Sequence, residues 1–359
     1  MTGQWWEYLA VFLVTSFLCG LLTPLAMRYA LRTNVLDHPG GHKSHQEAVP
    51  YLGGLAIVGT FTAAVLVMSL LQPPHSGRSE LLAVLAIAVL LSLVGLIDDL
   101  KKVSAAWRLV AEITAAVLVW SLGSGTDVTT IEVVDLGFTI LWFVGITNAF
   151  NLLDNMDGLS AGLAAISSLT VFAIAAENGQ FLVAALAIAI TGCSAGFLRY
   201  NFHPARIYMG DGGALFIGFL VAYIGIKLRF DGGRLLGAMV PILACSAAVF
   251  DTSLVVIARL AANRSPFQGG RDHVSHRLVG LGLRVPVAVS VIYLAAVGVG
   301  VLAYVISNSE PTSAWVLIGL IVVTLVISGG FLLTVPVYPG DSQGGSSTAG
   351  DSREESTDF

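Results

Sequence analysis

The chain has 359 residues, of which 55% are hydrophobic and only 11% charged, with a formal net charge of −5. Soluble domains carry about a quarter charged residues, so this composition excludes a soluble globular protein and indicates a polytopic membrane protein. The net charge says little about partners, because the acidic tail supplies much of it, and no nucleic-acid partner is expected.

Eleven apolar windows are long enough, or nearly so, to cross a hydrocarbon core of ~30 Å. They cover roughly residues 6–31, 51–72, 81–97, 106–122, 138–152, 159–176, 181–198, 213–229, 236–261, 286–307 and 313–335. The expected fold is all-α, with about 11 transmembrane helices and ten as the alternative. Residues 1–335 read as a single integral membrane domain. The first window lacks a basic leader and a small-residue cleavage site, so it is expected to remain as a helix. Cys19, Cys193 and Cys245 lie in separate apolar windows and read as small buried hydrophobes.

With the N-terminus outside, the cytoplasmic side receives fourteen of the 18 Lys and Arg residues, as the positive-inside rule requires. An odd helix count then leaves the C-terminus in the cytoplasm. Every unusual polar cluster falls on that side, which points to a cytoplasmic active site. The outer connections are short and carry no reactive cluster. Residues 123–137, with the alternation Val128-Thr129-Thr130-Ile131-Glu132-Val133, read as a small extracytoplasmic β-hairpin.

The first inner loop runs from Asp37 through His42, Lys43, Ser44 and His45 to Pro50, Tyr51, Leu52, Gly53 and Gly54. Its glycines allow close backbone approach, and Lys43 is a compact charge suited to phosphate; a basic loop with ordinary turn residues is the alternative. Asp98 and Asp99 follow at the inner end of the third window. Adjacent carboxylates repel unless a cation neutralises them, so the pair binds metal, accepts a proton or simply ends a charged helix. Arg108 and Glu112, spaced i, i+4, read as a structural ion pair.

Residues 148–159 place Asn148, Asn151, Asp154, Asn155 and Asp157 at the mouth of a membrane segment. An ionisable group at membrane depth costs roughly 2.5–3.5 kcal/mol on insertion scales, so such residues are normally paired or functional. Helical spacing puts Asn151, Asp154 and Asp157 on one face, suited to a hard divalent cation or a polar ligand edge. A polar loop capping two helices is the alternative. Further on, Tyr208-Met209-Gly210-Asp211-Gly212-Gly213 leads into a helix. Here Asp211 stands accessible between glycines, the helix N-terminus favours an anion, and Tyr208 is able to stack on a base. A tight turn between helices is the competing reading. Asp251, inside the ninth window, is either a supporting carboxylate or a helix-packing contact. The longest inner loop carries Arg264, Arg271, His273, His276 and Arg277 and resembles an anion clamp, with binding to anionic lipid headgroups as the alternative. Residues 336–359 form a Gly/Ser-rich acidic tail, expected to be disordered.

This ordered set of motifs, from about Asp37 to Leu278, resembles the polyprenyl-phosphate N-acetylhexosamine-1-phosphate transferases. The first loop, the Ser265-Pro266-Phe267-Gln268 run and the His-containing loop are similar to the N-acetylglucosamine branch, and the three consecutive His of the muramoyl-pentapeptide branch are absent. The resemblance assigns Asp98 and Asp99 to the lipid-phosphate site, and Asn151 and Asp211 to magnesium, with manganese as the alternative metal. It assigns Asp154 and Asp157 to the second acidic motif, Asp157 lying near the base, and Tyr208 to stacking on uracil. His273, His276 and Arg277 match the loop that holds diphosphate and sugar; Lys43, Asn148 and Arg271 are candidate substrate contacts. Two positions depart from the pattern: Ser275 stands where relatives usually have another His, and Ala214 where the Gly-Asp-x-Gly motif usually ends in Ser.

The implied reaction transfers N-acetylhexosamine-1-phosphate from a cytoplasmic UDP-sugar to polyprenyl phosphate, releasing UMP. The implied location is a bacterial plasma membrane, as a monomer or homodimer. Asp98, Asp99 and Asp154 are the expected catalytic carboxylates. A related muramoyl-pentapeptide or other phosphosugar transferase is one alternative. An ion-coupled transporter is another, although its intramembrane carboxylates would sit near the bilayer midplane rather than at one face.

Overall fold

A computed structural model describes residues 3–37, 48–71, 77–230, 232–265 and 270–337. Apolar runs in the sequence become helices because only a helix satisfies every backbone polar group within its own segment in hydrocarbon. In chain order these are α1 (Trp5–Thr33), α2 (Gly54–Leu71), α3 (Arg78–Lys101), α4 (Ala105–Ser121), α5 (Glu132–Leu152), α6 (Leu159–Glu177) and α7 (Phe181–Asn201). They are followed by α8 (Gly210–Lys227), α9 (Gly233–Ala244), α10 (Ser246–Ala261), α11 (Val274–Gly280), α12 (Val285–Ser307) and α13 (Pro311–Leu333). Among the described residues nine helices are long and apolar enough to cross a membrane, or ten if α9 and α10 form one broken span.

The expected window 236–261 is therefore not one rod. It breaks at Cys245, which leaves helical geometry (φ −100°, ψ 17°), and the two halves bend by 82°. The window at 106–122 corresponds to α4, only 17 residues long and carrying Arg108 and Glu112. The outer hairpin does not form. Asp135, buried in the first turn of α5, accepts the Val128 and Thr129 amides at 3.1 and 2.9 Å, and Thr126 donates to its carbonyl. This draws the segment into turns. Among the described residues the two-stranded sheet lies elsewhere, pairing β1 (Leu36–Asp37) antiparallel with β2 (Val49–Pro50).

The central helix is α8, buried along almost its whole length between α3 and α5. Glycines let these backbones meet, as small residues do between membrane helices. A Cβ on Gly95 of α3 would lie 2.5 Å from the Asp211 carbonyl oxygen, and one on Gly218 of α8 would lie 2.8 Å from the Thr147 Cα of α5. Leu13 of α1, Leu294 of α12 and Val326 of α13 are more than half exposed, as expected of faces turned to lipid. We expect Gly95→Ala to force α3 off α8 and destabilise the protein by about 2 kcal/mol. Thermal unfolding in detergent checks this, with Gly59→Ala, whose Cβ meets no atom within 4 Å, as the silent control.

Candidate active site

The end of α3, the end of α5 and the start of α8 meet at one end of the bundle, and their polar residues meet with them. Asp99 sends its two carboxylate oxygens to the first amides of α8, accepting from Asp211 N at 3.0 Å and Gly212 N at 3.2 Å. Asp154, between α5 and α6, lines the same cavity as Gly210 and Asp99. Gly210 has φ +73°, and a Cβ there would lie 2.7 Å from an Asp99 oxygen, so the turn requires glycine. The first amides of this helix N-terminus, the expected phosphate cradle, are thus taken up by the two oxygens of Asp99. Their effect is to lock Asp211 in place.

Asp211 is the crossing point. Asn151 donates to its Oδ1 at 2.7 Å, and Arg108 Nη1 donates to its Oδ2 at 3.1 Å. The same Arg108 nitrogen reaches Asp98 Oδ2 at 3.1 Å, and the other oxygen of Asp98 accepts the Val103 amide at 2.7 Å. Behind Arg108 stands Glu112, almost fully buried, 3.9 Å from Nε and hydrogen-bonded by Asn148. Arg108 is therefore more than the partner of Glu112 that an i, i+4 spacing indicates: it ties α4 to both acidic helix ends.

Part of this cluster borders a cavity of about 830 Å³. Asp98, Asp99, Asp154 and Asp211 line its acidic part, and Asp37, Tyr51 and Lys102 also face it. Asp157 and Tyr208 line it too; Asp157 Oδ2 is held by His203 Nδ1 at 2.7 Å and by the Ala205 amide at 3.0 Å. The Tyr208 backbone is pinned on both sides, its amide donating to Pro50 O and its carbonyl accepting from Gly53 N. Arg271 and His276 close the cavity from the α11 side. Burial, with Asp211 and Asp99 as negative neighbours, holds the Asp154 carboxyl well above its usual range. Burial, with His273 and Arg271 nearby, pushes the His276 imidazole down to about 4.

Three expected substrate contacts stand behind this wall instead of in it. Asn148 spends its amide on Glu112 and the Val144 carbonyl. His273 is buried against Asp251, with Nδ1 2.7 Å from Oδ2, while the Val274 amide takes Oδ1. Arg277 donates to the Asp272 carbonyl and to the Leu332 and Val335 carbonyls at the end of α13. His273 and Arg277 thereby position α11, which carries the lining residue His276, and Asn148 joins α5 to α4. Lys43 lies outside the described residues.

Because His276 is neutral at physiological pH, it meets a ligand as a hydrogen-bonding group and not as a cation. We expect His276→Asn to retain more affinity for the nucleotide-sugar that the sequence implies than His276→Ala, and the His276 share of binding to stay constant between pH 6 and 8; calorimetry checks both. The sign for stability follows from the lowered value: this contribution is complete above the unfolded pKa near 6.5 and is lost as pH falls towards about 4.

Among the described residues no three acidic, His or Cys groups form a metal cage. The donor set is instead oxygen-only, Asp211 with the Asn151 amide against it, which suits a cation that takes one or two protein oxygens and completes its shell with phosphate and water.

A Bacillus subtilis (strain 168) protein described as a probable undecaprenyl-phosphate N-acetylglucosaminyl 1-phosphate transferase is 32% identical over 293 residues, covering 79% of this chain and 80% of that protein. Residues 81–229 match the family model described as glycosyl transferase family 4. The chain belongs to glycosyl transferase family 4. A decaprenyl-phosphate N-acetylglucosaminephosphotransferase of Mycolicibacterium smegmatis is 29% identical over 351 residues, covering 88% of this chain and 85% of that protein. A phospho-N-acetylmuramoyl-pentapeptide-transferase of Streptococcus pyogenes serotype M6 is 28% identical over 268 residues, covering 67% of this chain and 80% of that protein. The family 4 match takes in the whole acidic cluster from Asp98 to Asp211, whereas Arg271 and His276 lie beyond it.

Proposed function

We propose that this protein transfers an N-acetylhexosamine-1-phosphate, N-acetylglucosamine-1-phosphate first among the candidates, from a UDP-sugar to polyprenyl phosphate, giving polyprenyl-diphospho-sugar and UMP. The observation that carries this reading is the convergence of Asp98, Asp99, Asp154 and Asp211 from three separate segments on one cavity, with Arg108 between two of them. Two well-covered relatives with N-acetylglucosamine phosphotransferase names support the choice of sugar. A second cavity of about 880 Å³, largely apolar and bordered by α5, α8, α9 and α10, offers room for the prenyl chain. In this reading the acidic end of the bundle faces the cytoplasm, where fourteen of the 18 basic residues fall, and the membrane is the bacterial plasma membrane.

Acidic side chains outnumber Lys102 and Arg271 in the cavity lining, and a diphosphate adds more negative charge. Opposite charge is needed for the two to share a site. Asp211 and Asn151 would hold magnesium through their side-chain oxygens. When bound, the ion neutralises charge on the diphosphate. The chain's own groups do the rest. Arg108 holds Asp98 and Asp211 together beside the phosphate site while Glu112 balances it from behind. Asp157, fixed by His203, and Tyr208 hold the uracil; Arg271 and neutral His276 hold the sugar-phosphate side.

The acceptor needs no strong base, because a phosphate monoester with its second pKa near 6 is largely deprotonated at neutral pH. Asp98 and Asp99 have their oxygens engaged by Arg108 and by backbone amides, which suits them to orienting the site. The lipid phosphate oxygen attacks the sugar-bearing phosphorus directly and UMP leaves. Positioning and charge balance are the main protein contributions to such a transfer. The test incubates purified protein with polyprenyl phosphate, magnesium and a panel of UDP-N-acetylhexosamines, followed by mass analysis of the lipid. A product heavier by the sugar phosphate, with UMP released and both lost on chelation, is expected; no UMP release with any donor overturns the proposal.

A further inference from the structure

Between the acidic loop and α11 the cavity wall carries an uncharged pair that the chemistry above leaves unused. Asn155 lines the cavity. Its Nδ2 donates to the Leu152 carbonyl at 2.6 Å, and its Oδ1 accepts from Ser275 Oγ at 2.9 Å. Ser275 is fully buried in α11, one residue before His276, so it fixes the amide from behind. A carboxamide has two N–H donors and two acceptor lone pairs, and these bonds use one of each. The remaining donor and acceptor stay available to a ligand in a cavity otherwise dominated by charge.

We propose that Asn155, oriented by Ser275, determines specificity for the sugar of the donor, pairing with a hydroxyl or acetamido substituent of the ring. This rests on the transferase reading above. Phosphates are recognised by charge, which an amide lacks, and the flat base has Tyr208 to stack on. A polyol substituent is what an uncharged donor–acceptor pair fits. Its placement agrees: Ser275 binds Asn155 to the same short helix that presents His276 to the cavity.

The experiment compares kcat/KM for UDP-N-acetylglucosamine, UDP-N-acetylgalactosamine and UDP-glucose in the wild type, Asn155→Ala and Ser275→Ala, with polyprenyl phosphate and magnesium. Donors too poor to turn over are ranked by competition for binding. Asn155→Ala should narrow the preference among sugars about tenfold, the scale of one hydrogen bond, and Ser275→Ala about threefold. The preference for uracil over thymine at constant sugar should not move. A preference among sugars that does not narrow, an equal fall for all donors, or a shift in base preference overturns the inference. A wild type that transfers no sugar refutes the transferase reading itself, so the two failures are distinguishable.

Discussion

Asp211→Ala should lower transfer about a thousandfold or more, the scale seen when one charge-stabilising group is removed from an active site, while leaving the protein folded. The side chain joins Asn151 and Arg108 to one carboxylate, at 2.7 and 3.1 Å. Alanine abolishes both contacts and the proposed magnesium site. It keeps the backbone amide that Asp99 accepts, so the start of α8 stays capped. The expected result is therefore a near-normal melting temperature with no turnover and no response to magnesium. Near-wild-type activity would remove Asp211 from the reaction.

Arg108→Leu is expected to damage both stability and turnover. The guanidinium reaches Asp98 and Asp211 and stands beside Glu112, whose carboxylate is almost fully buried. Removing one partner leaves an uncompensated charge, a loss of about 3 kcal/mol or more. Adding Glu112→Gln to the same chain should restore part of the melting temperature and none of the activity. Transfer should fall about a hundredfold in either background, and Arg108→Lys should lie between, keeping the charge but losing the planar fork. Full activity of Arg108→Leu would confine the residue to a packing role.

These two residues show what was legible in the sequence. Asp211 was, because a carboxylate among apolar runs must be neutralised or used, and flanking glycines mark it. Arg108 was not, because Glu112 four residues on offers a sufficient local partner. Its link to Asp211 spans more than a hundred residues and exists only once α4 packs beside α3 and α5. The helices were legible because hydrocarbon demands long apolar runs. The break at Cys245 was not, since the proline of that window, Pro241, stands four residues earlier and inside α9. The alternation at Val128 to Val133 pointed to strands, but a single buried side chain, Asp135, holds the segment in turns. Asn148, His273 and Arg277 were recognisable as polar residues in the right loops. Which face of the wall each occupies is decided by Glu112, Asp251 and the carbonyls of α13, all distant in sequence.

The central claim is that both substrates meet on one cluster of charges and the phosphosugar passes directly between them. Exchange of radiolabelled UMP into UDP-N-acetylhexosamine reads this, because labelled donor forms only when the transfer runs backwards. Direct transfer predicts exchange when polyprenyl phosphate is present and none without it. Exchange in the absence of lipid, or no exchange even in its presence, would contradict the account.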